Sequence, residues 1–283
     1  MLTLTNVTKQ YDSFTLDCSL SVPKGQITGL IGKNGAGKST TFKAILNLIH
    51  IDSGTIQLFG KEVSTLSKHD KEAIGVTLSD SMFSDYLCIN DIAAMSKYLY
   101  QKFQPNEFLG KCQAQNLPLN QKICTFSTGM KAKLMLLYAL SHNASFLILD
   151  EPTAGLDVLA REEMLDLLRN YMEEDNNRSI LISSHIANDL EGLCDDIYMI
   201  DEGKVILHED TDVLLSDYAI LKVDEKQYEA LDKTYLLRVH KENYGYSCLC
   251  NQKQFYWDNY KDIIIEKSSI DAVITMMIKG EKL

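Results

Sequence analysis

Apolar and polar residues alternate through LTLTNVTKQY and again through FTLDCSLSV. This period of two predicts a pair of strands joined by a turn around Asp12 and Ser13, so the chain begins antiparallel. GQITGLIG predicts a third strand, and KSTTFKAILNLI changes to helical spacing through Phe42, Ile45, Leu46 and Ile49. SGTIQLFG and AIGVTLS predict further strands, whereas residues 85 to about 145 carry longer periodic patterns and predict a largely helical insert. SFLILD is the continuous apolar run of a strand buried on both faces. A Pro-containing turn, a helix from about 157 to 174 and SILISSH follow it, and strand, helix, strand in that order predicts a parallel α/β core.

DDIYMIDEGKVIL predicts a hairpin turning at Glu202 and Gly203, which closes a large domain near residue 210. Residues 211–283 read as a small α/β appendix. They hold a hairpin across Asn243 to Gly245, then KDIIIEK, then a last helix SSIDAVITMMIKG with Ser268 or Ser269 as N-cap. The expected fold is α/β with a mixed sheet, divided at 1–210 and 211–283, with no internal repeat of roughly 20 to 50 residues.

Composition narrows the partners. The 283 residues carry 28 basic and 39 acidic side chains, net charge −11, which weighs against a broad nucleic-acid surface. MLTLTNVTKQY lacks a basic segment leading into an apolar one, and no run approaches the roughly 18 apolar residues of a membrane span, so the chain is expected in the cytosol. Seven scattered cysteines predict reduced thiols rather than a disulfide framework. The closest pair, Cys248 and Cys250, is expected on opposite faces of a strand, with no metal-spaced Cys/His cluster beside it.

From Gly32 to Ser39 the sequence reads GKNGAGKS, a complete G-x-x-x-x-G-K-[ST] between a strand and a helix. Gly32, Gly35 and Gly37 permit a tight turn, so the amides from about Asn34 to Thr40 can converge on phosphate oxygens at a helix start, which makes Gly32, Lys33, Asn34, Gly35, Ala36, Gly37, Lys38, Ser39 and Thr40 the candidate nucleotide-binding residues. Lys38 adds a positive charge and Ser39 a hydroxyl for Mg²⁺, which predicts a P-loop NTPase binding a nucleoside triphosphate. Hydrolysis also needs acidic partners. FLILDEP supplies them: Asp150, at the carboxyl end of its strand, is placed to hold Mg²⁺ through water, while Glu151 points elsewhere and positions the attacking water.

At these residues the chain resembles the ATP-binding subunit of ABC transporters, over about residues 1 to 210. The resemblance implies that Gly32 to Ser39 is the Walker A loop, Asp150 the Walker B aspartate, Glu151 the catalytic glutamate and AGLD at 154–157 the D-loop. It implies that His185 contacts the γ-phosphate and that Tyr11 stacks on adenine. Tyr11 as cover for a core edge and His185 as a polar strand end stand beside those readings.

FSTGM, residues 126 to 130, looks like the signature element, with Ser127 and Gly129 retained and Thr128 and Met130 in place of a glycine and a glutamine. It also reads as an ordinary N-cap before KAKLMLLYAL. Ser79 stands where the family's Q-loop has glutamine; its hydroxyl reaches less far than an amide arm.

The resemblance further implies ATP and Mg²⁺ as cofactors, a homodimer or a heterodimer with a related subunit, and a separate transmembrane permease subunit. The chain would sit peripherally on the cytoplasmic face of the membrane. Residues 83–100 offer apolar and aromatic side chains to such a permease, or pack inside their own domain. Similarity to bacterial multidrug, bacteriocin and peptide exporters favours export. A regulatory or immunity module with little turnover is the alternative, and an ABC ATPase acting on nucleic acid or translation is a more distant one.

Overall fold

Alternation in β1 (Leu2–Gln10) and β2 (Thr15–Val22) turns Leu2, Leu4, Val7, Leu16, Cys18, Leu20 and Val22 into one core. The two strands pair antiparallel from Leu2 opposite Val22 to Gln10 opposite Thr15, with a bulge between Leu4 and Val7. The computed structural model describes residues 1–78 and 83–282. Every residue of β3 (Ile27–Ile31) is buried, and α1 (Lys38–Ile45) follows it. This helix is shorter than its periodicity predicts: Leu46 caps it and Asn47 takes φ 55°, which leaves Leu48 exposed.

Next come β4 (Ser53–Leu58), β5 (Lys61–Glu62), α2 (Lys68–Glu72) and β6 (Ile74–Thr77). The insert is three helices, α3 (Ile89–Leu99), α4 (Pro105–Ala114) and α5 (Thr128–Leu140), around their own cluster of Ile89, Ile92, Phe103, Phe108, Phe126 and Tyr138. The chain returns through β7 (Phe146–Asp150), α6 (Val158–Glu173), β8 (Ser179–Ser184), α7 (Ala187–Glu191), β9 (Asp196–Asp201) and β10 (Lys204–Asp210). The first sheet runs β5-β4-β1-β2-β10-β9-β3-β8-β7-β6, with the stretch from β9 to β6 parallel. It is the mixed sheet with an antiparallel N-terminal part that the hydrophobic pattern predicts.

Beyond residue 210 lie α8 (Thr211–Ser216), β11 (Ala219–Val223), α9 (Glu225–Ala230), β12 (Leu236–Glu242), β13 (Gly245–Cys250), α10 (Lys253–Asn259), β14 (Ile264–Lys267), α11 (Ile270–Lys279) and β15 (Glu281–Lys282). Their five strands form an antiparallel sheet in the order β14-β11-β13-β12-β15. Ser269, rather than Ser268, caps α11 by accepting the Ala272 amide. Val273, Met276 and Met277 of α11 share one hydrophobic cluster with Leu190 of α7 and Ile182 of β8. Cys248 and Cys250 lie in the same cluster, on one side of β13, which corrects the expectation of opposite faces: residues two apart on a strand share a face. Burial pushes the Cys248 thiol up to about 12 and that of Cys250 up to about 11, so both act as small apolar groups.

None of the helices among the described residues is long and apolar enough to cross a membrane. Phe42 of α1 is fully buried between the phosphate-loop helix and the sheet core. Phe42→Ala is expected to lower unfolding free energy by about 3–5 kcal/mol, read from the urea midpoint at constant slope. A loss below about 1 kcal/mol would show that other contacts hold the helix.

Candidate functional site

Parallel register brings three loops to one edge of the sheet. β8 lies between β3 and β7, with Ser184 opposite Ile31 and Ser183 opposite Asp150. The loop after β3, the Asp150–Glu151 pair ending β7 and His185 just beyond β8 therefore meet at the carboxyl ends of the strands, where open α/β sheets hold ligands.

The first loop is shaped by its glycines. Gly35 and Gly37 take φ of 82° and 117°, in the region that disfavours side chains, and a Cβ on Gly32 would lie 2.3 Å from the Ile200 carbonyl. The Gly203 amide donates to the Ala36 carbonyl at 2.8 Å, and Lys33 pairs with Asp201 at 3.0 Å, so the β9–β10 turn braces the loop from outside. Asn34 and Gly35 are exposed, and Ser39 and Thr40 half-buried, at the mouth.

Lys38 is 5% exposed. Its ammonium donates to the Gly32 carbonyl at 2.6 Å and lies 3.0 Å from Glu151 Oε1. The other Glu151 oxygen is 2.6 Å from His185 Nδ1. Burial alone would push the Glu151 carboxyl up, but Lys38 first and then His185 outweigh it and hold the group below its ordinary value. Glu151 also has φ 50°, a left-handed backbone that turns its side chain away from that of Asp150.

Asp150 is buried and faces the other way. Its Oδ2 accepts the Ser39 hydroxyl at 2.7 Å and its Oδ1 the Ser183 hydroxyl at 2.7 Å. Ser183 in turn accepts the Glu151 amide at 2.9 Å, so one hydroxyl positions both carboxylates. Ser183 was not singled out from sequence; the signal present was a small polar residue breaking the apolar run SILI. Ser39 and Asp150 place two oxygen donors together, a set that suits a hard cation such as Mg²⁺ completed by phosphate oxygens and water.

Tyr11 is 43% exposed and tilts against Phe14, with ring centroids 6.3 Å apart. Phe14 reaches the loop itself, since a Cβ on Gly37 would meet its ring at 3.0 Å. Ser127 and Gly129 lie elsewhere. Ser127 caps α5 by accepting the Met130 amide, and Thr128 and Gly129 pack against Gly155 and Leu156 of the turn after β7. Among the described residues, no hydrogen bond joins 127–129 to the phosphate loop. Ser79 lies outside the described residues.

The family model described as "ABC transporter" matches residues 16–154. The chain is similar to "Nod factor export ATP-binding protein I" of Burkholderia orbicola, 36% identical over 208 residues covering 71% of this chain and 68% of that protein. It is also similar to "Lantibiotic transport ATP-binding protein SrtF" of Streptococcus pyogenes, 33% identical over 224 residues covering 75% of this chain and 92% of that one. Among solved structures, the "Dimeric Structure of MJ0796, a Bacterial ABC Transporter Cassette" shares the fold at a TM-score of 0.65 and 21% identity, over 75% of this chain and 99% of that one.

The depressed Glu151 group has a stability consequence. Its contribution is full above the ordinary glutamate value of 4.5 and is lost as pH falls through the lower folded value. Thermal melts of the wild type are expected to fall more steeply below that value than those of Glu151→Gln. Parallel acid limbs would show that the Lys38 and His185 contacts do not hold the carboxylate.

Proposed function

Since this chain belongs to the ABC transporter family and is an ATP-hydrolysing enzyme of it, we propose that it powers export of a substrate through a separate transmembrane subunit. The observation that carries the proposal is the Lys38–Glu151–His185 chain beside the Ser39–Asp150 pair, all at one strand edge. Glu151 is the group that orients or deprotonates the attacking water. Lys38, the loop amides and His185 stabilise the charge developing on the γ-phosphoryl oxygens. Ser39 and Asp150 would hold Mg²⁺, which when bound would neutralise phosphate charge. Lys38 is paired with Glu151, so an arriving phosphate competes for the lysine and frees the carboxylate for water.

Ser127 and Gly129 have a capped helix start but lie away from the chain's own loop, which supports a role completing the site of a second, head-to-tail ATPase subunit. The solved cassette of the same fold is a dimer, which agrees with that reading. Tyr11 is proposed to flank adenine. Residues 1–210 are proposed as the motor and 211–283 as an accessory domain.

α3 buries Ile89, Ile92, Ala93 and Ser96 inside its own domain and leaves Met95, Tyr98 and Leu99 exposed. The outward face is proposed to seat the cytosolic part of the transmembrane subunit and so to hold the chain peripherally at the membrane. The names of the two bacterial relatives support export, and the lantibiotic relative supports an antimicrobial peptide or similar peptide or drug as cargo.

The deciding experiment is Mg-ATP hydrolysis by the purified chain, alone and reconstituted with its membrane subunit, with Glu151→Gln in parallel. Turnover stimulated by the partner and lowered roughly 100-fold or more in the variant, with ATP binding retained, is expected. Tight ATP binding without partner-dependent turnover would instead indicate the regulatory module. Tyr98→Asp on the exposed face of α3 is expected to abolish the stimulation while leaving basal turnover within about twofold; retained stimulation would move the docking surface elsewhere.

A further inference from the structure

Asp189 of α7 takes no part in the chemistry above, yet it is a carboxylate only 2% exposed. Three segments converge on it. Its Oδ2 accepts the hydroxyl of buried Thr153 at 2.5 Å, two residues beyond Glu151. The same oxygen lies 3.5 Å from the hydroxyl of Ser184, the residue before His185. Its Oδ1 lies 3.3 Å from Nε of Arg161 in the first turns of α6, whose N-cap is Asp157 of the turn 154–157. Arg161 also reaches back to the Leu156 carbonyl at 3.4 Å.

A buried carboxylate needs partners of this kind, and the partners are held in return. The segments carrying Glu151 and His185 arrive from different strands, β7 and β8. Across them, Ser183 fixes the backbone of Glu151, while Asp189 fixes the loop that continues from Glu151 through Thr153 and flanks, at 3.5 Å, the Ser184 hydroxyl, which donates to the Ile186 carbonyl at 3.1 Å and accepts the Ile186 amide at 2.9 Å. The 2.6 Å contact between Glu151 and His185 is therefore built on Asp189 one layer below.

We propose that Asp189 is a positioning residue for ATP hydrolysis, setting the relative placement of Glu151 and His185 through Thr153 and Ser184, with Arg161 tying the 154–157 turn to the same carboxylate. The proposal rests on the roles given above to Glu151 and His185. An amide at position 189 keeps the volume but removes the charge that pairs with Arg161; with its oxygen toward Arg161, its NH₂ meets the Thr153 hydroxyl, which must then accept rather than donate, so the cluster loosens without leaving a cavity.

The test is a double-mutant cycle on the full chain by steady-state Mg-ATP hydrolysis, with Asp189→Asn, His185→Ala and the double variant. Asp189→Asn is expected to lower kcat about 10-fold or more, with KM for ATP within about twofold. In the His185→Ala background the same change is expected to cost several-fold less than in the wild type, because one of the two residues whose relative placement it sets is gone. Thr153→Val should reproduce part of the loss and Thr153→Ser should not; this pair carries the cycle if Asp189→Asn fails to fold. An equal fold-loss in both backgrounds, or a loss carried in KM, overturns the positioning role while leaving the function standing. Wild-type turnover in His185→Ala alone overturns the positioning role together with the role given to His185.

Discussion

A lysine ammonium almost sealed from water needs an anion beside it, and for Lys38 that anion is Glu151. Much of the molecule follows from bringing these two groups together. Lys38 starts the helix after β3 and Glu151 directly follows β7, so their strands must lie close and parallel, with carboxyl ends level. β8 fills the position between them, and its last residues are then forced into the same space. Ser183 bridges the two carboxylates, and His185 closes the line on Glu151. Five parallel strands buried on both faces keep the edge level, because a shift of one residue would turn every side chain to the wrong face.

The same geometry separates the two neighbouring acids. Consecutive residues in extended backbone already project oppositely, and the left-handed turn at Glu151 widens the divergence. Asp150 is left among hydroxyls, with no basic side chain paired to it among the described residues, where two oxygens suit a metal. Glu151 is left between the Lys38 ammonium and the His185 ring, which outweigh burial, hold its carboxyl below the ordinary value and keep it ionised, as a group that orients water must be. One dipeptide thus carries two chemistries, because the backbone gives each carboxylate different company.

Much of this was legible in the sequence, for identifiable reasons. β3, β7 and β8 read as strands since burial on both faces writes a continuous apolar run, and the glycine spacing of the phosphate loop reflects two left-handed residues and one close backbone approach. Gly32 to Thr40, Asp150, Glu151 and His185 could be named in advance because they sit at the ends of such runs. Other features left weaker traces. The early end of α1 hung on Asn47 adopting a left-handed conformation, which the apolar residues Leu48 and Ile49 masked. α9 and α10 are short, and QFYWDNY signals aromatic content more strongly than helical period, although Tyr256 is fully buried and Trp257 exposed within it. Ser183, Thr153 and Asp189 were illegible for a different reason: small polar residues acquire their meaning from partners some 30 positions away, and a local pattern does not encode that distance.

The short helix α7 shows how the C-terminal segment bears on this arrangement. On one side α7 carries Asp189 into the cluster beneath Glu151 and His185. On the other, Glu191 accepts the backbone amide of Ile270 at 2.9 Å, at the start of α11, and Leu190 packs in the same cluster as Val273 and Met277. A helix of five residues has too few internal hydrogen bonds to hold itself, so its position is set by these outer contacts. The carboxylate at the N-terminus of α11 satisfies an otherwise unpaired amide and favours the helix dipole, so α7 and α11 stabilise each other. The backbone leading out of His185 is therefore anchored at both ends, by β8 in the main sheet and by α11. Among the described residues, 211–282 brace this edge of the sheet through α7 and form no hydrogen bond with Lys38, Glu151 or His185.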